Sequence, residues 1–285
     1  MKAIILAAGK GTRLYPMTKP VSKPLIPVYD KPLIYYPLCT LLEAGIRDIL
    51  VIVPPDHTAQ FQALLGDGSG LGVQISYLEQ KVQRGIADAF LVAEDWIGGE
   101  PVCLILGDNI FFGPHFRLSF ARALELERGA AVFGYRVEDP RPFGVVEFDA
   151  DGFAVSIEEK PAEPKSNYII PGVYVYDGTV SAIAHALRPS PRGELEITDV
   201  NRAYLARGEL TVFTLDETTS WLDAGNPDAV LDAGLTVRDL ERETGFPIGC
   251  IERAALEQGF VTREQVHAAG RAMPGTRYGA YLCSL

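Results

Sequence analysis

A chain of 285 residues, 47% hydrophobic and 22% charged, has the length of one large α/β core with appended elements, and its composition excludes disorder. A formal net charge of −11 argues against nucleic acid or an anionic membrane as partner, so any phosphate site must gather a few cations locally and recruit metal. Four scattered cysteines (39, 103, 250 and 283) without histidines at zinc spacing, and no apolar run near membrane-span length, are expected of a cytoplasmic protein.

Apolar runs alternate with helical stretches along the first half. Lys2–Ala7 reads as a buried strand ending in a glycine-rich loop, Pro37–Ala44 as helix, and Asp48–Val53 as a second apolar strand. Ala59–Leu65 (helix), Val73–Leu78 (strand), Ile86–Trp96 (helix) and Pro101–Leu106 (strand) follow. Strands this apolar are buried on both faces, which implies a doubly wound, mostly parallel sheet, a Rossmann-like α/β fold with ligands at the strands' carboxyl ends. From about Ala130 the rhythm changes. Ala130–Tyr135, Val145–Phe148, Ala154–Glu158 and Tyr168–Tyr176 crowd together as an added antiparallel or mixed region, before helices at Val180–Leu187 and Ile197–Arg207. Beyond Pro227 the chain reads as helical (Ala229–Arg242, Arg253–Glu257, Arg263–Ala269). The expected organisation is a core over 1–226, with a first half to about 129 and a second over 130–226, then a helical assembly element over 227–285.

Three constellations carry chemistry. In Ala7-Ala8-Gly9-Lys10-Gly11-Thr12-Arg13 the third glycine of the dinucleotide pattern is missing, and Lys10 is followed by Gly11 where a P-loop has Ser or Thr. Gly9 and Gly11 can still bring backbone N–H groups against phosphate, with Arg13 as a forked cation and Lys23 as a point charge. Asp108 ends an apolar strand in Leu104-Ile-Leu-Gly-Asp-Asn109, and Asp223 closes a short apolar stretch before a glycine in Trp221-Leu-Asp-Ala-Gly225. Two such acids suit one magnesium ion, although Asp108 can equally cap a turn with Gly107. In Glu158-Glu-Lys-Pro161, Lys160 pairs with Arg192 to hold a second phosphate while Glu159 accepts from sugar hydroxyls. Gly144 and Gly172 would let backbone approach the ring, and plain surface charge is the other reading of that cluster.

Leu6–Leu14, Ser22–Val28, Asp30–Leu38, Leu106–Ile110, Phe143–Asp149, Glu158–Pro161, Gly193–Asn201 and Trp221–Gly225 together resemble the glucose-1-phosphate thymidylyltransferases, in order and over essentially the whole chain. The resemblance implies a magnesium-dependent sugar nucleotidyltransferase that joins dTTP and glucose 1-phosphate. It implies that Leu6, Ala8, Gly9, Gly11, Thr12, Arg13 and Lys23 hold the nucleotide, with Gln80 and Gly85 at the base. Asp108 and Asp223 match the metal ligands, and Asp108, Gly144, Glu159, Lys160, Ile170 and Arg192 the sugar-phosphate positions; Arg13, Lys23, Asp108 and Asp223 are the catalytic candidates. A homotetramer and inhibition by a dTDP-sugar end product are implied as well. The chain departs from the family pattern at Ala8, usually glycine, and at Lys81-Val-Gln-Arg84, where the family has a Pro-Ser-Pro-Asp-like segment; Phe111 and Phe112 stand where tyrosine is often included. The rival readings are the same chemistry with UTP, a glycosyltransferase (which usually carries Asp-x-Asp, whereas Leu106 precedes Asp108 by two) and a non-catalytic sugar-nucleotide sensor.

Overall fold

The computed structural model describes all 285 residues. Strand β1 (Lys2–Leu6) is apolar because it is buried on both sides: Ala3 and Ile5 enter one core cluster and Ile4 the other. A small hairpin of β2 (Pro27–Val28) and β3 (Lys31–Pro32) precedes α1 (Tyr35–Glu43) and β4 (Asp48–Val53). Then come α2 (Thr58–Leu65), β5 (Gln74–Glu79), α3 (Asp88–Val92), α4 (Glu94–Ile97) and β6 (Val102–Leu106). β5, β4, β1 and β6 lie side by side, all parallel. Since the later strands β4 and β6 flank β1 on opposite sides, the winding reverses there and leaves a crevice at the strands' carboxyl ends.

The second half extends the sheet. Its elements are β7 (Asn109–Phe112), α5 (Pro114–Leu124), β8 (Ala130–Arg136), β9 (Gly144–Phe148), β10 (Ala154–Glu159), β11 (Tyr168–Ile169), β12 (Val173–Tyr176), α6 (Val180–Ala186), α7 (Ile197–Ala206), β13 (Leu210–Thr214) and β14 (Ser220–Asp223). β12 runs antiparallel to both β6 and β8, β13 parallel to β8, and β11, β9 and β10 close the edge antiparallel, completing ten strands. β7 and β14 form a separate antiparallel ribbon. The chain ends in α8 (Pro227–Thr244), α9 (Ile251–Glu257), α10 (Arg263–Arg271) and α11 (Arg277–Leu282). No helix is long and apolar enough to cross a membrane.

Two expected elements are broken. The helix expected over Ile86–Trp96 divides into α3 and α4 at Ala93, whose φ of −98° and ψ of 8° leave the helical region. The strand expected over Tyr168–Tyr176 is interrupted at Pro171-Gly172, where proline offers no N–H to the ladder. In the core, β7, α5, β13 and β14 lie in stretches to which hydropathy assigns nothing, as does the β2–β3 hairpin.

One buried charge pair anchors the C-terminal helices. Lys31 of β3 (3% exposed) pairs with Asp30 and, at 2.9 Å, with Glu241 of α8 (8% exposed). The same Glu241 oxygen accepts from Ile248 N–H at 2.9 Å. Lys31→Met strands that carboxylate without its counter-charge and should cost about 3–5 kcal/mol in urea denaturation, while the double replacement K31M/E241Q, which removes the charge and keeps an acceptor for Ile248, should recover most of the loss.

Candidate active site

The loop after β1 offers an unusual row of free donors. No backbone N–H from Ala8 to Arg13 donates within the chain, although Ala7 N–H still bonds Ile52 O at 2.8 Å and Leu14 N–H closes a turn on Gly11 O at 2.9 Å. Such a row suits an anion. Gly11 sits at φ +60°, and a Cβ there would lie 2.9 Å from Thr18 Cγ2. Gly9 has nothing within 4 Å of that position, so no packing inside the chain demands a glycine there.

Asp108 is delivered to the same place by backbone pairing. Leu6 of β1 is the register partner of Leu106 of β6, and Gly107 N–H donates to Leu6 O at 2.9 Å. Asp108 accepts from the buried Lys23 ammonium on one oxygen and from Asn109 Nδ2, at 2.9 Å, on the other. The β7–β14 ribbon sets Asp223 opposite Asn109, and Ala224 N–H reaches Asp108 O at 3.3 Å. Burial raises the pKa of Asp223, the charge of Asp108 raises it further, and Lys23 and Arg13 pull it down. Two hard carboxylates, one of them disfavoured as an isolated anion, form a donor set that a divalent cation would complete.

A cleft of about 480 Å³ opens beside these residues. It gathers eight of the expected site residues: Arg13, Asp108 and Asp223 towards the loops, and Gly144, Glu159, Lys160, Ile170 and Arg192 towards the second half. Leu6, Ala8, Gly9, Gly11, Thr12, Lys23, Gln80 and Gly85 are not among its walls; Lys23 lies beneath Asp108, and most of the rest sit on the neighbouring loops. In the second half, Glu159 accepts from Thr198 Oγ1 at 2.6 Å and from Arg192 at 3.1 Å, and Arg192 also forks onto Glu196 at 2.7 and 3.1 Å. Lys160 is held at φ +44°, a costly conformation for a side-chain-bearing residue, with its N–H on Phe143 O at 2.9 Å.

Asn109 and Trp221 escaped the sequence reading as site residues. Asn109 Oδ1 takes both Gly172 N–H (3.1 Å) and Trp221 Nε1–H (2.7 Å), so one buried amide fixes Asp108, the start of β12 and the indole that packs on Phe143. Gly172 is required by this contact, since a Cβ would lie 2.6 Å from Leu106 and 2.8 Å from Asn109 Oδ1. The only signal in the sequence was the adjacency of Asn109 to Asp108.

Residues 2–239 match the family model described as nucleotidyl transferase. The chain is 52% identical to a glucose-1-phosphate thymidylyltransferase of Mycolicibacterium smegmatis, over 100% of this chain and 99% of that one. It is 49% identical to one of Neisseria gonorrhoeae at the same coverages. A Bacillus anthracis structure described as a putative glucose-1-phosphate thymidylyltransferase in complex with sucrose is 41% identical, with a TM-score of 0.78 over 84% of this chain and 96% of that one. A UDP-glucose pyrophosphorylase complexed with UDP-glucose shares the fold at 24% identity, with a TM-score of 0.73 over 84% of this chain and 98% of that one.

Stability should register the raised pKa of Asp223. The folded state binds this proton more tightly than the unfolded chain, so stability falls as pH climbs from the ordinary carboxylate range through the raised value. Asp223→Asn should therefore melt above wild type at pH 7, and the gap should narrow as the pH is lowered towards 4. Thermal denaturation across that range checks it; a lower melting temperature at pH 7 counts against the arrangement.

Proposed function

We propose, for a chain that belongs to the nucleotidyl transferase family and to its glucose-1-phosphate thymidylyltransferases, that it condenses dTTP with α-D-glucose 1-phosphate to dTDP-glucose and pyrophosphate. The observation that carries this reading is the pairing of six successive free N–H groups, Ala8 to Arg13, with one cleft that joins the Asp108–Asp223 carboxylates to Glu159, Lys160 and Arg192. A triphosphate suits the first half of that arrangement and a sugar phosphate the second. Gly9, open to its surroundings, leaves room for a phosphate against the backbone.

In this mechanism a phosphate oxygen of glucose 1-phosphate attacks the α-phosphorus in line, and pyrophosphate leaves. The attacking phosphate is already ionised at neutral pH, so the step needs no general base, and alignment with charge neutralisation supplies the catalysis. Arg13 and the loop donors take up the charge on the departing pyrophosphate, with Lys23 beside them. Lys160 and Arg192 hold the nucleophile's phosphate, and Glu159 accepts from the sugar. Gln80 and Gly85 lie at the base. Asp108 and Asp223 would hold Mg²⁺, which would neutralise charge on the α-phosphate when bound.

Cytoplasmic residence and a homotetramer under end-product control complete the reading. All four cysteines are free thiols, and exposed Leu231 and Leu235, one turn apart on α8, offer apolar surface for self-association.

Pyrophosphate release measured over a matrix of triphosphates and sugar phosphates tests the reaction. Turnover should be highest with dTTP and glucose 1-phosphate, vanish with EDTA and return with magnesium. UTP, one methyl smaller, should be disfavoured by no more than about 1–3 kcal/mol. Arg13→Ala should lower kcat by about 10²–10³-fold while KM for glucose 1-phosphate stays nearly constant; unchanged turnover would remove Arg13 from the chemistry.

A further inference from the structure

Between β5 and α3 the chain makes a short loop, residues 80–87, at the carboxyl end of the parallel strands. Gln80 continues β5, with its N–H on Val53 O at 3.0 Å, and its side chain is almost wholly buried. The Gln80 Nε2 donates to Asp88 Oδ2 at 2.8 Å, and the other oxygen of Asp88 accepts from Arg84 Nη2 at 2.7 Å. Asp88 itself is 1% exposed, so its carboxylate is committed to these two partners.

A carboxylate only accepts hydrogen bonds. Gln80 must therefore turn its NH₂ towards Asp88, and its Oε1 is left pointing elsewhere. That oxygen takes no hydrogen bond from the chain and is not sealed from solvent. Gly85 N–H is likewise without a partner in the chain. Gly85 admits no side chain, because it sits at φ +102° and a Cβ there would lie 2.4 Å from Leu195 O.

We propose that Asp88 is a positioning residue that fixes base choice: it locks the Gln80 amide with its acceptor towards the nucleotide, and so selects bases that present a ring N–H. This rests on the thymidylyltransferase reading and deepens it. Thymine and uracil carry N3–H and can donate to Gln80 Oε1. Cytosine, of the same size, presents a lone pair at N3 and would set acceptor against acceptor. Rejecting an analogue through a mismatched buried polar group is far more effective than rejecting a methyl.

The test compares dTTP with dCTP by pyrophosphate release, with glucose 1-phosphate as second substrate. Asp88→Asn offers both a donor and an acceptor, which frees the Gln80 amide to turn over. The kcat/KM ratio of dTTP to dCTP should fall by roughly tenfold or more, mainly through a higher KM for dTTP, with KM for glucose 1-phosphate unmoved. Q80E/D88N reverses the polarity of the pair: the amide introduced at position 88 donates to the carboxylate introduced at position 80, whose second oxygen again turns an acceptor to the base. That double variant should recover the dTTP preference. A mere packing role would weaken both triphosphates alike and give no recovery. A wild-type ratio in D88N, or a folded Q80E/D88N without thymine preference, overturns the proposal. If D88N fails to fold by circular dichroism, the double variant alone decides. Wild-type enzyme without dTTP-dependent pyrophosphate release would overturn the thymidylyltransferase reading itself, and this inference with it.

Discussion

The register of β1 against β6 is the constraint on which the active cleft depends. Leu6 opposite Leu106 makes the loop at Ala8–Arg13 and the turn at Gly107-Asp108 leave the sheet side by side. Parallel strands so far apart in sequence achieve this only because the winding reverses at β1. Slide one strand by a residue, and every side chain changes face: Ile4 would enter the cluster that holds Ala3 and Ile5, and Asp108 would move away from the Ala8–Arg13 loop. The apolar core thus positions the polar site.

Charge is the second constraint, and it follows from the first. A chain of net charge −11 that brings two carboxylates together must offset them locally. Lys23 does so from beneath Asp108, and Asn109 spends one amide on three partners to hold the arrangement. In the second half Arg192 faces Glu159, Glu194 and Glu196. Both cationic groups are set in acidic frames, which fixes their direction without removing their charge. A frame of that kind is preorganised for an anion, because the donors need not be gathered when it arrives.

Much of this was legible in the sequence. Buried parallel strands announce themselves as unbroken apolar runs, so β1, β4 and β6 were plain; Asp108 stood out because it follows such a run, and Asp223 because it closes a short apolar stretch before a glycine. The β7–β14 ribbon was not legible. Its two strands are only four residues each and pair across more than a hundred residues, and no local pattern encodes a partner at that distance. The division at Ala93 was hidden for the opposite reason: alanine favours helix, so its residue type gives no sign of the φ of −98° and ψ of 8° at which the helix divides. Asn109 looked like a neighbour of Asp108, and its role comes from contacts with Gly172 and Trp221, far along the chain.

Two of the three departures from the family pattern, Ala8 and the segment Lys81–Arg84, meet in space. Gln83 Nε2 donates to Ala8 O, and Arg84 pairs with Asp88 while its carbonyl accepts from Leu195 N–H at 2.5 Å. The altered segment therefore ties the proposed base loop to the Ala8–Arg13 loop on one side and to Leu195, just before α7, on the other. A Pro-rich segment would stiffen that loop by restricting its own backbone; here side-chain contacts do the same work from outside. The difference matters for energetics. Backbone restriction acts mainly on the unfolded chain, whereas contacts to Ala8 and Asp88 exist only when both loops are in place. Under the proposed function, Gln83 would couple base recognition to triphosphate binding, because its side chain joins the segment after β5 to the loop after β1.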